Sequence, residues 1–197
     1  TGRGMGYEWG GEGGAGYLIR STLHYAFRSN DGTGPKTRLE QVVLSLLEFE
    51  SYDDLSLYMY QVQGKFSKIY MQAAAIVPAV FQLANEGDEV CMDILISLGQ
   101  VMGDIIGRMI RTLGSWQEPQ DIVMVGSLFT KGTNPLLKDA FRLACHRFVP
   151  FARFKEPELE PAGGAFLMGL EKQGLPAKGK VRERAIATLG EMEIPGL

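Results

Sequence analysis

Four short stretches of this sequence carry side chains small enough to admit a ligand to the backbone: Gly10 to Ala15, Ala73-Ala-Ala75, Gly126-Ser127 and Gly163-Gly-Ala165. The third is the sharpest, because it ends the run Asp121-Ile-Val-Met-Val-Gly-Ser-Leu-Phe129. A short apolar run closing in Gly-Ser reads as a buried parallel strand opening onto a ligand. In open α/β sheets ligands sit outside the carboxyl ends of strands, where backbone amides and the following helix N-terminus are free to meet them. Gly126 lets a ligand reach the main chain with no Cβ in the way, and Ser127 adds a small hydroxyl. A strand-to-loop turn with no ligand would show the same pattern. In the first stretch Glu12 either braces its loop by hydrogen bonding or contacts a substrate.

Elements of definite kind must hold these stretches. From Ala15 to about Ser29 the residues Leu18, Ile19, Thr22, Leu23, Ala26 and Phe27 recur at helical spacing, and Asn30-Asp-Gly-Thr-Gly-Pro35 stops the run. A second helix is predicted over about 37–49, with Leu39, Val42, Val43, Leu46 and Leu47 on one face. Ser51 precedes Tyr52-Asp-Asp-Leu, where early acidic residues favour a helix start. A helix over about 67–84 contains Pro78, which removes an amide donor and should bend it. The longest helix opens at Gly87-Asp88, with Asp88 as N-cap and Gly114 just past its C-terminus.

Inside that helix Gly99, Gly103 and Gly107 stand four apart and form one smooth ridge. Each costs about 1 kcal/mol relative to alanine, so the ridge points to tight packing against a neighbouring helix or sheet. After the strand ending at Val125, a helix over about 134–147, a strand at 151–154 and a helix from Ala162 follow. Strand, helix, strand and helix over 121–172 imply a parallel βαβ unit. The chain divides into residues 1–172 and a looser tail, 173–197, with a short charged helix at about 180–189 whose basic cluster reads as a solvated face.

Composition narrows the function. Of 197 residues, 45% are hydrophobic, enough to bury a real core. Twenty basic against 23 acidic side chains give a charge of −3, which offers no surplus of positive charge for a nucleic acid; small solutes or protein partners fit better. Cys91 and Cys145 fall in amphipathic helices without zinc or disulfide spacing, which implies a reducing, cytoplasmic setting. His24 and His146 lie in separate helices with no carboxylate or cysteine at ligand spacing, and read as surface or satisfied core residues. Trp9 and Trp116 adjoin loops, where an aromatic lid or simple packing is expected ahead of stacking on a ligand. No membrane span is expected: the longest candidate, Val90 to Leu113, carries Asp93, Gln100, Asp104, Arg108 and Arg111. The glycine-dense start, with no initiator methionine, reads as a piece cut from a longer protein.

In order and spacing, the four small-residue stretches resemble the C-terminal half of the BadF/BadG/BcrA/BcrD-type ATPase and N-acetylglucosamine kinase family, within the actin-like superfamily. The family loop Gly-Asp-Glu-Gly-Ser/Gly-Gly/Ala falls on Gly10 to Ala15, and its later arginine on Arg20. The family's Gly-Trp-Gly falls on Gly4-Met5-Gly6, and its Ala-x-x-x-Pro with Gly-Asp ten residues on falls on Ala74, Pro78 and Gly87-Asp88. The strand-end Gly-Gly or Gly-Ser falls on Gly126-Ser127.

The resemblance implies an α/β fold: the helix-rich C-terminal lobe of an actin-like (RNase H-like) ATPase, with a short parallel sheet and an inserted helical region. It implies nucleotide contacts at Ala74, Gly126 and Ser127, and acceptor contacts at Gly4, Met5, Gly6, Gly11 and Glu12. Gly11 stands where the family has a sugar-binding aspartate and Met5 where it has tryptophan, so the acceptor implied is a sugar or amino sugar in general. ATP and Mg2+ would be bound mainly by the chain's own N-terminal lobe, which in such kinases carries the phosphate loops and the catalytic aspartate, so these residues alone would be inactive. A homodimer is compatible with this picture. Two other readings stay open: an ATPase activator of a dehydratase or reductase, with an iron–sulfur cluster held by cysteines, and a non-catalytic nucleotide- or sugar-binding sensor.

Overall fold

Apolar residues at helical spacing fold the first half of the chain into helices: α1 (Gly14–Asn30), α2 (Leu39–Leu47), α3 (Tyr52–Gln61), α4 (Ser67–Asn85) and α5 (Glu89–Thr112). Strand β1 (Asp121–Val123), a single turn α6 (Ser127–Thr130), α7 (Leu136–His146), β2 (Arg153–Lys155), α8 (Pro161–Lys172) and α9 (Lys180–Gly190) follow. This computed structural model describes residues 7, 10–61, 67–114, 116–159 and 161–190. It divides the chain into two compact units, Thr1–Asp121 with Ser127–Arg153, and Ile122–Gly126 with Phe154–Leu197.

The first unit is helical. Helices α1, α2, α4 and α5 pack on one another, and α7 lies along α5. Leu18, Leu39, Val43, Leu47, Leu55, Ile76, Val80, Ile94, Leu95, Leu98 and Leu137 are fully buried among them. The predicted faces are the observed ones: α1 buries Leu18, Ile19, Thr22, Leu23 and Ala26, and α2 buries Leu39, Val43 and Leu47. Ser51 caps α3, its hydroxyl accepting from the Asp54 N–H at 3.1 Å. Helix α4 runs through Pro78 and closes in a Schellman turn, Asp88 N–H to Leu83 O at 2.9 Å and Gly87 N–H to Ala84 O at 3.1 Å.

The glycine ridge is a helix–helix contact. A Cβ at Gly99 would lie 2.5 Å from Leu137 O and 2.8 Å from Ala140 Cβ, and one at Gly107 would lie 2.9 Å from Phe148 Cβ. Three absent methyl groups let α5 meet the backbone of α7. That burial also accounts for the composition of α5, which by length and composition alone is apolar enough to cross a membrane. Its charges fall at wide spacing, and a helix that buries Ile94, Leu95 and Leu98 in a protein core needs the same composition as one facing lipid.

A two-stranded sheet pairs β1 with β2, and all of it but the first residue of each strand, Asp121 and Arg153, belongs to the second unit with α8 and α9. The strands run parallel, Met124 N–H donating to Lys155 O at 2.9 Å and Arg153 N–H to Gln120 O at 2.8 Å. A helix-rich chain with a short parallel sheet, strand to helix to strand, is the expected α/β pattern. Ile122 and Met124 are buried and Val123 and Val125 exposed, the alternation of a sheet covered on one face. Arg182 and Glu158 pair at 2.5 Å on the surface of this unit.

Candidate functional site

The glycine-rich loop before α1 has a backbone that side chains would hinder. Gly10, Gly13 and Gly14 have φ of 78°, 148° and 67°. Gly13 also sits against α5, where a Cβ would come within 3.1 Å of Met102 Cγ. As N-cap, Gly13 offers no side-chain acceptor, and the first turn of α1 holds no acidic residue. Gly11 and Glu12 are half-buried at this entry. No described residue hydrogen-bonds the Glu12 carboxylate. Nearly two turns into α1, the Arg20 guanidinium lies over the Tyr7 ring at 4.9 Å. Gly4, Met5 and Gly6 lie outside the described residues.

Gly126 and Ser127 are both exposed where the chain leaves β1. Gly126 belongs to the second unit and Ser127 opens α6 in the first. Gly126 has φ of 113°, a conformation that L side chains rarely adopt, and nothing lies within 4 Å of where its Cβ would stand. The expected helix N-terminus behind the strand is only the one turn α6; the long helix α7 starts at Leu136. Thr133-Asn134-Pro135 interrupts the helix. The Asn134 side chain accepts from Leu136 N–H at 3.0 Å and donates to Asn85 Oδ1 at 2.8 Å. A single turn has little aligned dipole, so what this strand end exposes is backbone and the Ser127 hydroxyl. Ala74 lies in α4, on a stretch whose side chains are outside the described residues. Gly163-Gly-Ala165 forms the start of α8, with Gly163 buried.

Asp88 joins several described groups of the first unit, and only half of its role was visible in sequence. It caps α5 as expected, Oδ1 accepting from Cys91 N–H at 3.1 Å. It also receives Arg38 N–H at 2.9 Å and the Thr37 hydroxyl at 2.9 Å, so one buried carboxylate ties the entries of α2 and α5 together. Burial pushes the Asp88 carboxyl up, but the hydrogen bonds from Arg38, Cys91 and Thr37 outweigh it and hold the group below the usual carboxylate range. Nearby, Ser29 Oγ donates to Glu40 Oε2 at 2.7 Å, and that bond leads the causes that lower the Glu40 carboxyl. Glu40 O accepts from the Tyr52 hydroxyl at 2.7 Å; burial, with the Glu40 charge beside it, pushes that phenol up to about 12. An open pocket of about 660 Å³ borders this knot, lined by Lys36, Arg38, Gln41, Glu86 and Glu89 among others.

Cys91 and Cys145 are free and buried, and burial raises both thiols, Cys91 further because the Asp88 charge adjoins it. Neither is presented as a ligand. His24 and His146 are exposed. Among the described residues no group of three or more His, Cys, Asp or Glu is arranged to hold a metal.

No protein-family model matches the chain. It is similar to an N-acetyl-D-glucosamine kinase from Dictyostelium discoideum, with 28% identity over 171 residues that cover 84% of this chain and 52% of that protein. The chain thus spans about half the length of a sugar kinase to which it is distantly similar.

Proposed function

We propose that this chain is part of an ATP-dependent kinase that phosphorylates a hydroxyl of a sugar or amino sugar, forming the C-terminal lobe of an actin-like ATPase fold. The observation that carries the reading is the similarity to N-acetyl-D-glucosamine kinase, sustained over 171 residues. In this reading Gly126 and Ser127, with Ala74, take the adenosine side of ATP. Gly126 leaves open space where a Cβ would stand, and Ser127 adds an exposed hydroxyl, which suits a flat base that needs close backbone and few charges. Gly11 and Glu12, with Gly4, Met5 and Gly6, take the acceptor. A half-buried carboxylate such as Glu12 can accept from a sugar hydroxyl and orient it.

Phosphoryl transfer also needs phosphates held in place and a base aimed at the acceptor. Mg2+ with ATP supplies charge neutralisation on the transferred group, and an N-terminal lobe would hold both. The test is sugar-stimulated ADP release by the full-length protein over a panel of hexoses and amino hexoses. Turnover with at least one of them is expected, with Glu12→Gln raising the KM for sugar and leaving ATP affinity in place. Residues 1–197 alone should release no ADP. An inert full-length protein across the panel, or turnover by residues 1–197 alone, would refute the proposal.

A further inference from the structure

At the C-terminal end of α5, Arg108 and Arg111 stand three residues apart, neighbours on the helix surface, and both line one open pocket of about 360 Å³ with Thr112 and Phe148. Each guanidinium is held by a ring: Arg108 lies over Phe148 at 4.6 Å to the centroid and Arg111 over Trp116 at 4.7 Å. Neither has a carboxylate partner among the described residues. The acidic residue spaced to serve Arg108 is Asp104, one turn back, and it is taken by Arg147 at 2.6 Å. Two like charges thus share a pocket with no carboxylate partner among the described residues, each guanidinium resting over a ring. Helix polarity makes the C-terminus a favourable place for them, but does not supply an anion.

We propose that Arg108 and Arg111 form a binding site for a phosphate group, free or carried by a small molecule, whose oxygens accept from both guanidinium forks. Guanidinium is the group suited to this task, because its planar N–H pairs match phosphate oxygens and its stacking removes conformational freedom that binding would otherwise cost. The site shares no residue with the proposed nucleotide and acceptor contacts and stands independently of the kinase reading. Free inorganic phosphate and a sugar phosphate present the same group, and the experiment separates them.

The chain is titrated with inorganic phosphate and with a hexose 6-phosphate at constant ionic strength, by calorimetry and by Trp116 fluorescence in a Trp9→Phe background. Saturable binding is expected, with both signals weakened about tenfold or more in Arg108→Gln and in Arg111→Gln. Arg147→Gln should also weaken binding, because it releases the Asp104 carboxylate to Arg108, whereas Asp104→Asn should bind at least as tightly as the parent chain. Tighter binding of the hexose phosphate assigns the site to a sugar phosphate, and equal or weaker binding assigns it to free phosphate. Should a glutamine variant misfold by circular dichroism, Arg111→Lys keeps the charge and loses the fork, and is expected to weaken binding as well. The absence of saturable binding by either probe, or affinity unchanged in the folded arginine variants, would overturn the proposal.

Discussion

Adding one methyl group at Gly103 should destabilise the first unit, although the same change in a free helix would stabilise it. A Cβ at Gly103 would meet the carbonyl oxygen of Phe141, stand 2.7 Å from Ala144 Cβ and lie 3.0 Å from Cys145 N. Carbon atoms pack best at about 3.5–4.0 Å, so α5 and α7 would have to part by something on the order of 1 Å. Two of the three atoms belong to the backbone of α7 and cannot swing aside. Overpacking of this kind costs about 1–3 kcal/mol, against about 1 kcal/mol recovered by replacing a helical glycine. The backbone clash puts the cost at the upper end, for a net loss of about 2 kcal/mol. For a chain of this size that lowers Tm by about 4–8 °C. Urea and thermal unfolding followed by circular dichroism read both quantities. Gly169→Ala is the control: that glycine lies inside α8 with nothing within 4 Å of the added Cβ, and its replacement should leave stability unchanged or raise it by up to about 1 kcal/mol. A raised midpoint for Gly103→Ala would refute the tight α5–α7 contact.

The lowered Asp88 carboxyl makes the first unit sensitive to acid. Its contribution is fully present above about pH 4, the unfolded value, and is lost as pH falls through the depressed folded value, so Asp88→Asn should flatten this part of the stability–pH curve. Asp88→Ala strands the Arg38 and Cys91 N–H donors and should cost about 1–3 kcal/mol by urea unfolding; an unchanged midpoint would show that water replaces the carboxylate freely. Both cysteines should resist an aromatic disulfide reagent in native buffer and react after denaturation, and rapid native labelling would contradict their burial. Gly126→Val in the full-length protein should weaken ATP binding. Because φ is 113° the change also strains the backbone by about 1–3 kcal/mol, so the fold is checked in parallel, and unchanged affinity by calorimetry would remove Gly126 from the nucleotide site.

Local order was legible in the sequence because it depends on spacing alone. The apolar faces of α1 and α2 and the Asp88 cap of α5 follow from a period of 3.6 and from capping chemistry, and the parallel pairing of two short strands follows from the helix between them. The glycine ridge was legible for a related reason, since three helix-weakening residues at one spacing need a compensating contact. Which element supplied that contact was not. Only the tertiary structure sets α7 there, because Leu137, Ala140, Phe141 and Ala144 become its complement through a connection that returns the chain to run α7 parallel to α5, which spacing does not encode. Asp88 shows the same division: the cap of its own helix is a local pattern, while its bonds to Thr37 and Arg38 join residues 51 and 50 positions away. Arg108 and Arg111 read as ordinary helix charges until Phe148 and Trp116 come beneath them and Arg147 takes Asp104. A sequence determines which groups a helix face carries; whether a charge on that face meets a partner, a ring or open solvent depends on elements brought to it by folding, and that set Arg108 and Arg111 over rings with no carboxylate partner among the described residues.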